Sequence, residues 1–144
     1  MKWPKISVPA FAAVLVVSSC GSSSATEDSG DLFCKASVSF NDSLATVSDM
    51  MGEDPSVEEF KTEFTKLVDN SRDLASKAPS DLEDDTKLIH EAIGAFAAVM
   101  EKFDYDVYAI ATSSVAMKDL EIVGSEEFTK ASGALNSYTA KNCG

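Results

Sequence analysis

Few side chains in this sequence of 144 residues could carry catalysis or hold a ligand, apart from its many carboxylates. His90 is the only histidine, so this chain cannot build a metal or haem site from two of its own imidazoles. Because His90 lies one position away from an apolar helical stripe, we expect a half-exposed helical residue that holds no ligand. The alternative is an axial haem or metal ligand, with Tyr105, Tyr108 or a methionine as the second ligand.

No enzyme motif stands out either. The sequence has no Gly-x-Ser-x-Gly elbow and no glycine-rich phosphate loop. The acidic segments 81–85 and 104–106 begin like EF-hand calcium loops, but both lack the required glycine and the bidentate glutamate. Residues Thr86 and Ala92 stand at those places in the first segment, and Ala109 and Val115 in the second. We therefore expect no metal and no cofactor, and we interpret residues 81–85 as a helix N-terminus.

The first nineteen residues have the pattern of a secretory signal. Lys2 and Lys5 form a basic start, and residues 8–17 form an apolar run. This run is too short to cross a bilayer as a helix, which takes roughly 20 residues. Residues 17–20, Val-Ser-Ser-Cys, resemble the lipobox of bacterial lipoproteins. The resemblance implies that the signal is cut before Cys20 and that the thiol of Cys20 is diacylated. A plain signal peptide with an incidental cysteine is the alternative.

The lipobox divides the chain into a signal peptide at 1–19, a lipidated cysteine with a flexible polar tether at 20–31, and a folded domain at 32–144. The resemblance implies a location on the extracytoplasmic side of the cell membrane, because two acyl chains hold a protein firmly there. A flexible tether of ten residues would span about 17 Å root-mean-square. The remaining segment has a suitable length for one domain with one core.

The charge of the chain excludes one class of partner. It carries 24 acidic and 12 basic residues, and Lys2 and Lys5 would leave with the signal, so the mature net charge is about −14. A protein this acidic is repelled by nucleic acid and by anionic lipid headgroups. We therefore expect no nucleic-acid partner and no membrane contact beyond the lipid anchor.

Two cysteines remain once Cys20 is assigned to the lipid. Thiols of exported proteins tend to pair, so we predict a disulfide between Cys34 and Cys143. It would close almost the whole domain into one loop. Two free or metal-binding thiols are the alternative, although zinc sites usually contain closely spaced cysteine pairs and this chain has none.

Apolar residues at helical spacing predict an all-α fold. We expect four helices, which begin near Phe33, at Ser56, at Ser80 and at Gly124-Ser125. Ser56 with Glu59, and Ser80 with Glu83, have the capping-box pattern. The buried faces would be Phe33, Ala36, Phe40, Leu44, Val47 and Met51; then Val57, Phe60, Phe64, Leu67, Ser71, Leu74 and Ala78; then Ile89, Ile93, Phe96, Met100 and Phe103; and last Phe128, Ala131, Leu135 and Tyr138. For residues 104–123 we expect a loop with a short helix near 114–120; a longer third helix or a short strand are alternatives.

Four helices with short connections favour a four-helix up-down bundle. In such a bundle the start of the first helix and the end of the last lie at the same end, where the predicted disulfide would join them. The C-terminus Tyr138-x-x-x-x-Cys143-Gly144 with an early helical cysteine resembles small exported lipoproteins of actinobacteria. That resemblance implies a helical fold and an envelope location, without an activity.

These features predict a non-enzymatic, membrane-anchored binding module. Its partner would be an envelope protein or a small apolar ligand, contacted at the end far from the disulfide, where Tyr105, Tyr108 and Met117 are the candidate residues. Long connections are often functional, which favours this end. A carrier of haem or another apolar ligand is the first alternative, and a carboxylate-based envelope hydrolase is the second.

Overall fold

The computed structural model describes residues 29–53 and 55–143, and the chain forms helices and no strands in these ranges. The all-α prediction is confirmed. The predicted signal, Cys20 and the tether up to residue 28 lie outside the described residues. The α-helices are α1 (Ser29–Gly52), α2 (Val57–Ser76), α3 (Glu83–Lys102), α4 (Val107–Thr112), α5 (Ser114–Asp119) and α6 (Glu126–Asn142). Two 3₁₀ turns, Ser80–Leu82 and Glu121–Gly124, precede α3 and α6.

One core is shared by all six helices. Its largest fully buried side chains include Phe33 on α1, Phe64 and Leu74 on α2, and Met100 on α3. Most of the apolar positions that the spacing assigned to the interior are buried or half-buried. Removing such side chains from water is the main favourable term in folding, at about 25 cal/mol per Å² of apolar surface.

Three residues predicted to be buried are exposed instead. Leu44 is 38 % exposed, Met51 45 % and Val57 54 %. Leu44 and Met51 belong to a seven-residue series that starts at Ser37, which is 2 % exposed. A straight helix drifts by about 20° per seven residues relative to such a series, so its later members move to the edge of the buried face. Val57 is the first residue of α2, where no preceding turn covers it.

The contacts between α2 and α3 show that these two helices run antiparallel. Moving along α2 from its start, Phe60 contacts Tyr105, Phe64 contacts Phe96, and Ser71 contacts His90. The partner positions move backwards along the chain as the α2 positions move forwards. The α1 helix packs along α2, and α3 packs along α6.

The predicted disulfide between Cys34 and Cys143 is confirmed. It joins two residues whose Cα atoms lie 5.3 Å apart and whose sequence separation is 109. Beside it, the rings of Phe33 and Tyr138 meet edge to face, with their centroids 5.5 Å apart. The contact between α1 and α6 is much smaller than the contacts of α1 with α2 and of α3 with α6. The bridge and this ring pair therefore join two helices that otherwise touch little.

One of the two predicted capping boxes forms, and the other does not. The Oγ of Ser56 accepts a hydrogen bond from Glu59 N, and the carboxylate of Glu59 accepts one from Ser56 N. The box predicted at Ser80 and Glu83 is wrong. A 3₁₀ turn occupies Ser80–Leu82, α3 begins only at Glu83, and no side chain caps its first turn. The tighter turn brings Leu82 into the core, where it is 4 % exposed.

The connection after α3 is more helical than predicted. The short helix expected near 114–120 is confirmed as α5, but the preceding segment is helical too, as α4. Asp106 caps α4 by accepting a hydrogen bond from Ala109 N, and Ser113 caps α5 by accepting one from Ala116 N. Ile110 and Ala116 are buried and attach these short helices to the core. Ser125 caps α6 in the same way, at the place where the last helix was predicted to begin.

Replacing both Cys34 and Cys143 with serine should lower the free energy of unfolding by about 2–5 kcal/mol, because the bridge restricts the unfolded chain. Urea titrations of the two proteins measure this difference. The wild type with reductant should behave like the double variant, and Cys20→Ser should leave the stability unchanged. Equal midpoints for the wild type and the double variant would contradict the stabilising role of the bridge.

The capping box predicts a pH dependence of stability. Hydrogen bonds from the side chain and then the backbone of Ser56 lower the pKa of Glu59 below its ordinary value near 4.5. The unfolded state therefore binds this proton more readily, so the box stabilises the fold above that value and loses its contribution as the pH falls through the lowered pKa.

We expect Glu59→Gln to flatten the decline in stability between about pH 6 and pH 3, because glutamine keeps the box without a titrating charge. Urea midpoints at several pH values measure this slope. Glu58→Gln is the matched control, since it removes the same charge from the same helical turn. If Glu58→Gln reduced the slope of stability against pH by the same amount, the loss of a negative charge would explain the effect and the capping box would not.

Candidate functional site

The single histidine is held by a buried serine. His90 Nδ1 lies 2.9 Å from the Oγ of Ser71, which is fully buried. The hydroxyl of Ser71 donates its proton to the carbonyl oxygen of Val68, at 2.7 Å. Since a hydroxyl has only one proton, Nδ1 of His90 must be the donor to Ser71. This arrangement places the imidazole proton on Nδ1 in the neutral form.

The Ser71–His90 pair is not arranged for nucleophilic catalysis. A nucleophilic serine needs its Oγ open to substrate and its proton directed at the base. Ser71 has neither property, because it is inaccessible and its proton is bonded to Val68. The pair satisfies the polar groups at the α2–α3 contact, and half-buried His90 is consistent with the residue expected from the sequence.

Tyr105, one of the alternative second ligands for a metal or haem, lies far from His90. Tyr105 follows the end of α3 at Lys102, which is about 18 Å from His90 along the helix axis at 1.5 Å per residue. One ion or one haem iron cannot bind both side chains at that separation. Among residues 29–53 and 55–143, no group of three or more histidine, cysteine, aspartate or glutamate side chains is placed to hold a metal ion.

Tyr105, one of the three candidate binding residues, is part of the packing. Its ring and that of Phe60 meet edge to face, with centroids 6.3 Å apart, and the ammonium of Lys61 lies 5.8 Å from the centroid of the Tyr105 ring. Burial, and then the negative charge of Glu101, raise the pKa of the Tyr105 hydroxyl above its ordinary value. Tyr105 therefore attaches the segment after α3 to the start of α2.

The backbone at this point is strained. Asp104 and Tyr105 have φ values of 50° and 61°, in the left-handed region that residues with a Cβ rarely adopt. The amide of Tyr105 donates to the carbonyl of Met100 at 2.8 Å, which closes the end of α3. The cost of such conformations is of the order of 1–2 kcal/mol per residue. The ring contact with Phe60 helps to hold Tyr105 in this conformation.

Tyr108 and Met117, the other two candidates, are exposed at 66 % and 58 %. They belong to a larger set: of eight large apolar side chains exposed in the described residues, six lie in residues 49–61 and 101–127. These six are Met51, Val57, Tyr108, Val115, Met117 and Val123. The sequence prediction missed four of them, because Met51 and Val57 fit helical stripes and nothing distinguished Val115 or Val123.

Carboxylates surround these apolar side chains. The ranges 49–61 and 101–127 contain eleven exposed acidic residues in the described chain, against three lysines. The acidic residues are Asp49, Glu53, Glu58, Glu59, Glu101, Asp104, Asp106, Asp119, Glu121, Glu126 and Glu127. Tyr105 joins the two ranges through Phe60, so they adjoin in space. We call the exposed side chains of these two ranges the acidic–apolar surface.

Two depressions on the described surface are open to solvent. One, of about 380 Å³, is lined by residues of α1 between Asp31 and Ser39. The other, of about 260 Å³, lies between α3 and α5, where Lys102 and Asp119 form an ion pair at 3.2 Å. Small-molecule sites usually bury most of their ligand in an apolar cleft. Neither depression has that character.

No helix in the described ranges combines the length and the apolar composition that crossing a bilayer requires.

The packing predicts unequal effects on stability for two tyrosines that lie three residues apart. Tyr105→Ser should lower the free energy of unfolding by about 2 kcal/mol, because the ring contact with Phe60 is lost. Tyr108→Ser should change it by less than about 0.5 kcal/mol, because that side chain is exposed. Urea titrations measure both. Equal losses in the two variants would show that Tyr105 does not have the packing role described above.

Comparison of this chain with protein-family models, with curated proteins and with solved structures finds no match in any of the three. A function for this chain is therefore proposed from its own residues and contacts.

Proposed function

We propose that this chain is a lipoprotein, anchored through Cys20 on the extracytoplasmic side of a bacterial membrane, and that it binds another envelope protein without catalysing a reaction. The acidic–apolar surface is the observation that carries this proposal. Exposed apolar side chains scattered singly are normal, whereas their concentration in one region is typical of an interaction site. Tyr108 and Met117 lie in that region and remain our candidate contact residues.

We infer that α1, α2, α3 and α6 form an up-down-up-down bundle. The antiparallel contacts of α2 with α3 support this topology, and so does the short connection between α1 and α2 at residues 53–56. The Cys34–Cys143 bridge also fits, because in such a bundle the first and last helices run antiparallel and these residues share an end.

This topology gives the domain an orientation on the membrane. Eight residues separate Cys20 from the start of α1 at Ser29, and even fully extended they reach only about 30 Å. The disulfide end therefore stays near the bilayer. α1 has 24 residues and is about 36 Å long at 1.5 Å per residue. The acidic–apolar surface lies at the other end of the bundle and points away from the anionic headgroups.

The described residues favour a binding role over the alternatives. The Ser71–His90 pair is unsuitable for nucleophilic catalysis, and the described depressions are open rather than enclosing. Glu59, whose pKa is lowered, accepts hydrogen bonds in a cap and is unsuited to donate a proton as a general acid. A protein partner needs none of these features; it needs an exposed surface with apolar anchors and a polar rim.

The proposal is tested by photo-crosslinking in cells, with a benzophenone amino acid in place of Tyr108 or, as the control, Val38. Val38 is exposed at 57 % on α1, outside the acidic–apolar surface. We expect a crosslinked adduct with another envelope protein from position 108 and none from position 38. The adduct should disappear when Cys20→Ser prevents anchoring.

Labelling with a fatty-acid analogue establishes the anchoring itself. The wild type and the Cys34→Ser variant should be labelled, and Cys20→Ser should not. An unlabelled wild type would overturn the lipoprotein assignment, and equal adducts from positions 108 and 38 would overturn the assignment of the binding surface.

A further inference from the structure

We infer that the acidic–apolar surface binds a segment of another protein that carries both basic and apolar side chains. This inference rests on the proposed function, which assigns the surface to binding, and it adds the chemistry of the partner. Two independent features of the surface, its charge and its exposed apolar side chains, define that chemistry.

The charge of this surface is poorly compensated from within. Eleven carboxylates stand against three lysines, of which Lys102 forms an ion pair with Asp119 and Lys61 lies over the ring of Tyr105. From outside the two ranges, Lys130 pairs with Glu126 at 2.8 Å. The eleven exposed carboxylates therefore produce a strongly negative potential at this end of the molecule. A positive partner is attracted to such a potential, which raises the association rate and rejects partners of the wrong sign.

The rest of the molecule is better balanced. Residues 29–48, 62–100 and 128–143 contain ten acidic and seven basic residues. Four of those acidic residues form ion pairs: Asp31 with Lys35, Glu63 with Lys66, Asp69 with Arg72, and Asp73 with Lys77. The uncompensated negative charge is thus concentrated in the region that also exposes the apolar side chains, although the whole chain is acidic.

The exposed apolar side chains of the surface indicate that its partner carries apolar groups as well as positive charge. Tyr108, Val115 and Met117 each expose more than half of their surface to water. Covering apolar surface is favourable by about 25 cal/mol per Å², and tyrosine and methionine are enriched at protein interfaces. A segment with basic side chains alone would leave this surface exposed. One with apolar side chains alone would leave the carboxylates unpaired.

The negative charge of the acidic–apolar surface argues against other kinds of binding partner. A second copy of this chain would bring eleven more carboxylates to the contact, and like charges placed together cost several kcal/mol. Nucleic acid and anionic lipid would be repelled for the same reason. A protein segment with lysines or arginines beside apolar residues is the occupant that fits both features.

The inference is tested with model peptides and the full-length chain, purified in a non-ionic detergent. The first peptide is a fourteen-residue leucine–lysine sequence with its leucines on one helical face. The second has the same composition in scrambled order, and the third has glutamate in place of lysine. Spermine serves as a cation without apolar side chains. Fluorescence anisotropy of labelled peptides measures their direct binding to the chain. The affinity of spermine is measured by its competition with the labelled first peptide.

Two variants and two matched controls locate the site. The first variant combines Asp49→Asn, Glu53→Gln, Asp104→Asn and Glu121→Gln. It should lower the affinity for the first peptide by about tenfold or more at low salt, and it should reduce the salt dependence of that affinity. The control variant removes the same number of charges elsewhere, at Asp81, Glu83, Asp84 and Glu91, and should weaken it by less than about threefold.

The apolar contribution has its own pair of variants. The double variant Tyr108→Ser with Met117→Ser should lower the affinity for the first peptide by about tenfold or more, because two exposed apolar anchors are lost. Val38→Ser with Leu44→Ser removes exposed apolar side chains from α1 and should change binding by less than about twofold. Urea titrations of all four variants check that each remains folded.

The outcomes separate the inference from the proposed function. Binding of the first peptide alone, weakened by both surface variants and by neither control, supports the inference. It is overturned if the first peptide does not bind, if spermine or the scrambled peptide binds equally well, or if the control variants weaken binding as much as the surface variants do. Peptide binding with an unlabelled Cys20 would refute anchoring alone; a labelled Cys20 without peptide binding would refute the inference alone.

Discussion

The covalent link between Cys34 and Cys143 is the constraint on which the arrangement of the helices depends. The chain passes from α1 to α2, α3 and α6, and each of these helices packs mainly on the one before it. The bridge and the adjoining ring pair bring the last helix back to the first, which it otherwise touches little. On the loop-entropy model, closing a loop of about 100 residues is worth up to roughly 4.7 kcal/mol, a large part of the stability of a small domain.

The helices were predictable because their signals are local. Phe60, Phe64 and Leu67 repeat at helical spacing, and Ser56 with Glu59 caps the same helix within four residues. The disulfide was predictable for a different reason: once one cysteine was assigned to the lipid, only one pair remained. In both cases a few residues were enough to favour the structure that is observed.

What the sequence could not provide depends on contacts between distant residues. Ser80 with Glu83 has the same capping-box pattern as Ser56 with Glu59. At Ser80, however, Leu82 is buried in the core, and a 3₁₀ turn forms instead of the capping box. Tyr105 and Tyr108 are three residues apart in sequence and alike in chemistry. Tyr105 packs against Phe60, which is distant in sequence, whereas Tyr108 is exposed.

The position of the bridge also determines how the domain would bear mechanical force. With Cys20 in the membrane and a partner bound at the far end, tension would enter the domain through the start of α1. Without the bridge, that tension could peel α1 away from α2, one turn at a time. With it, the load passes at once to Cys143 and is shared between α1 and α6, both pulled along their axes. The core would then have to shear as a unit before either helix could detach.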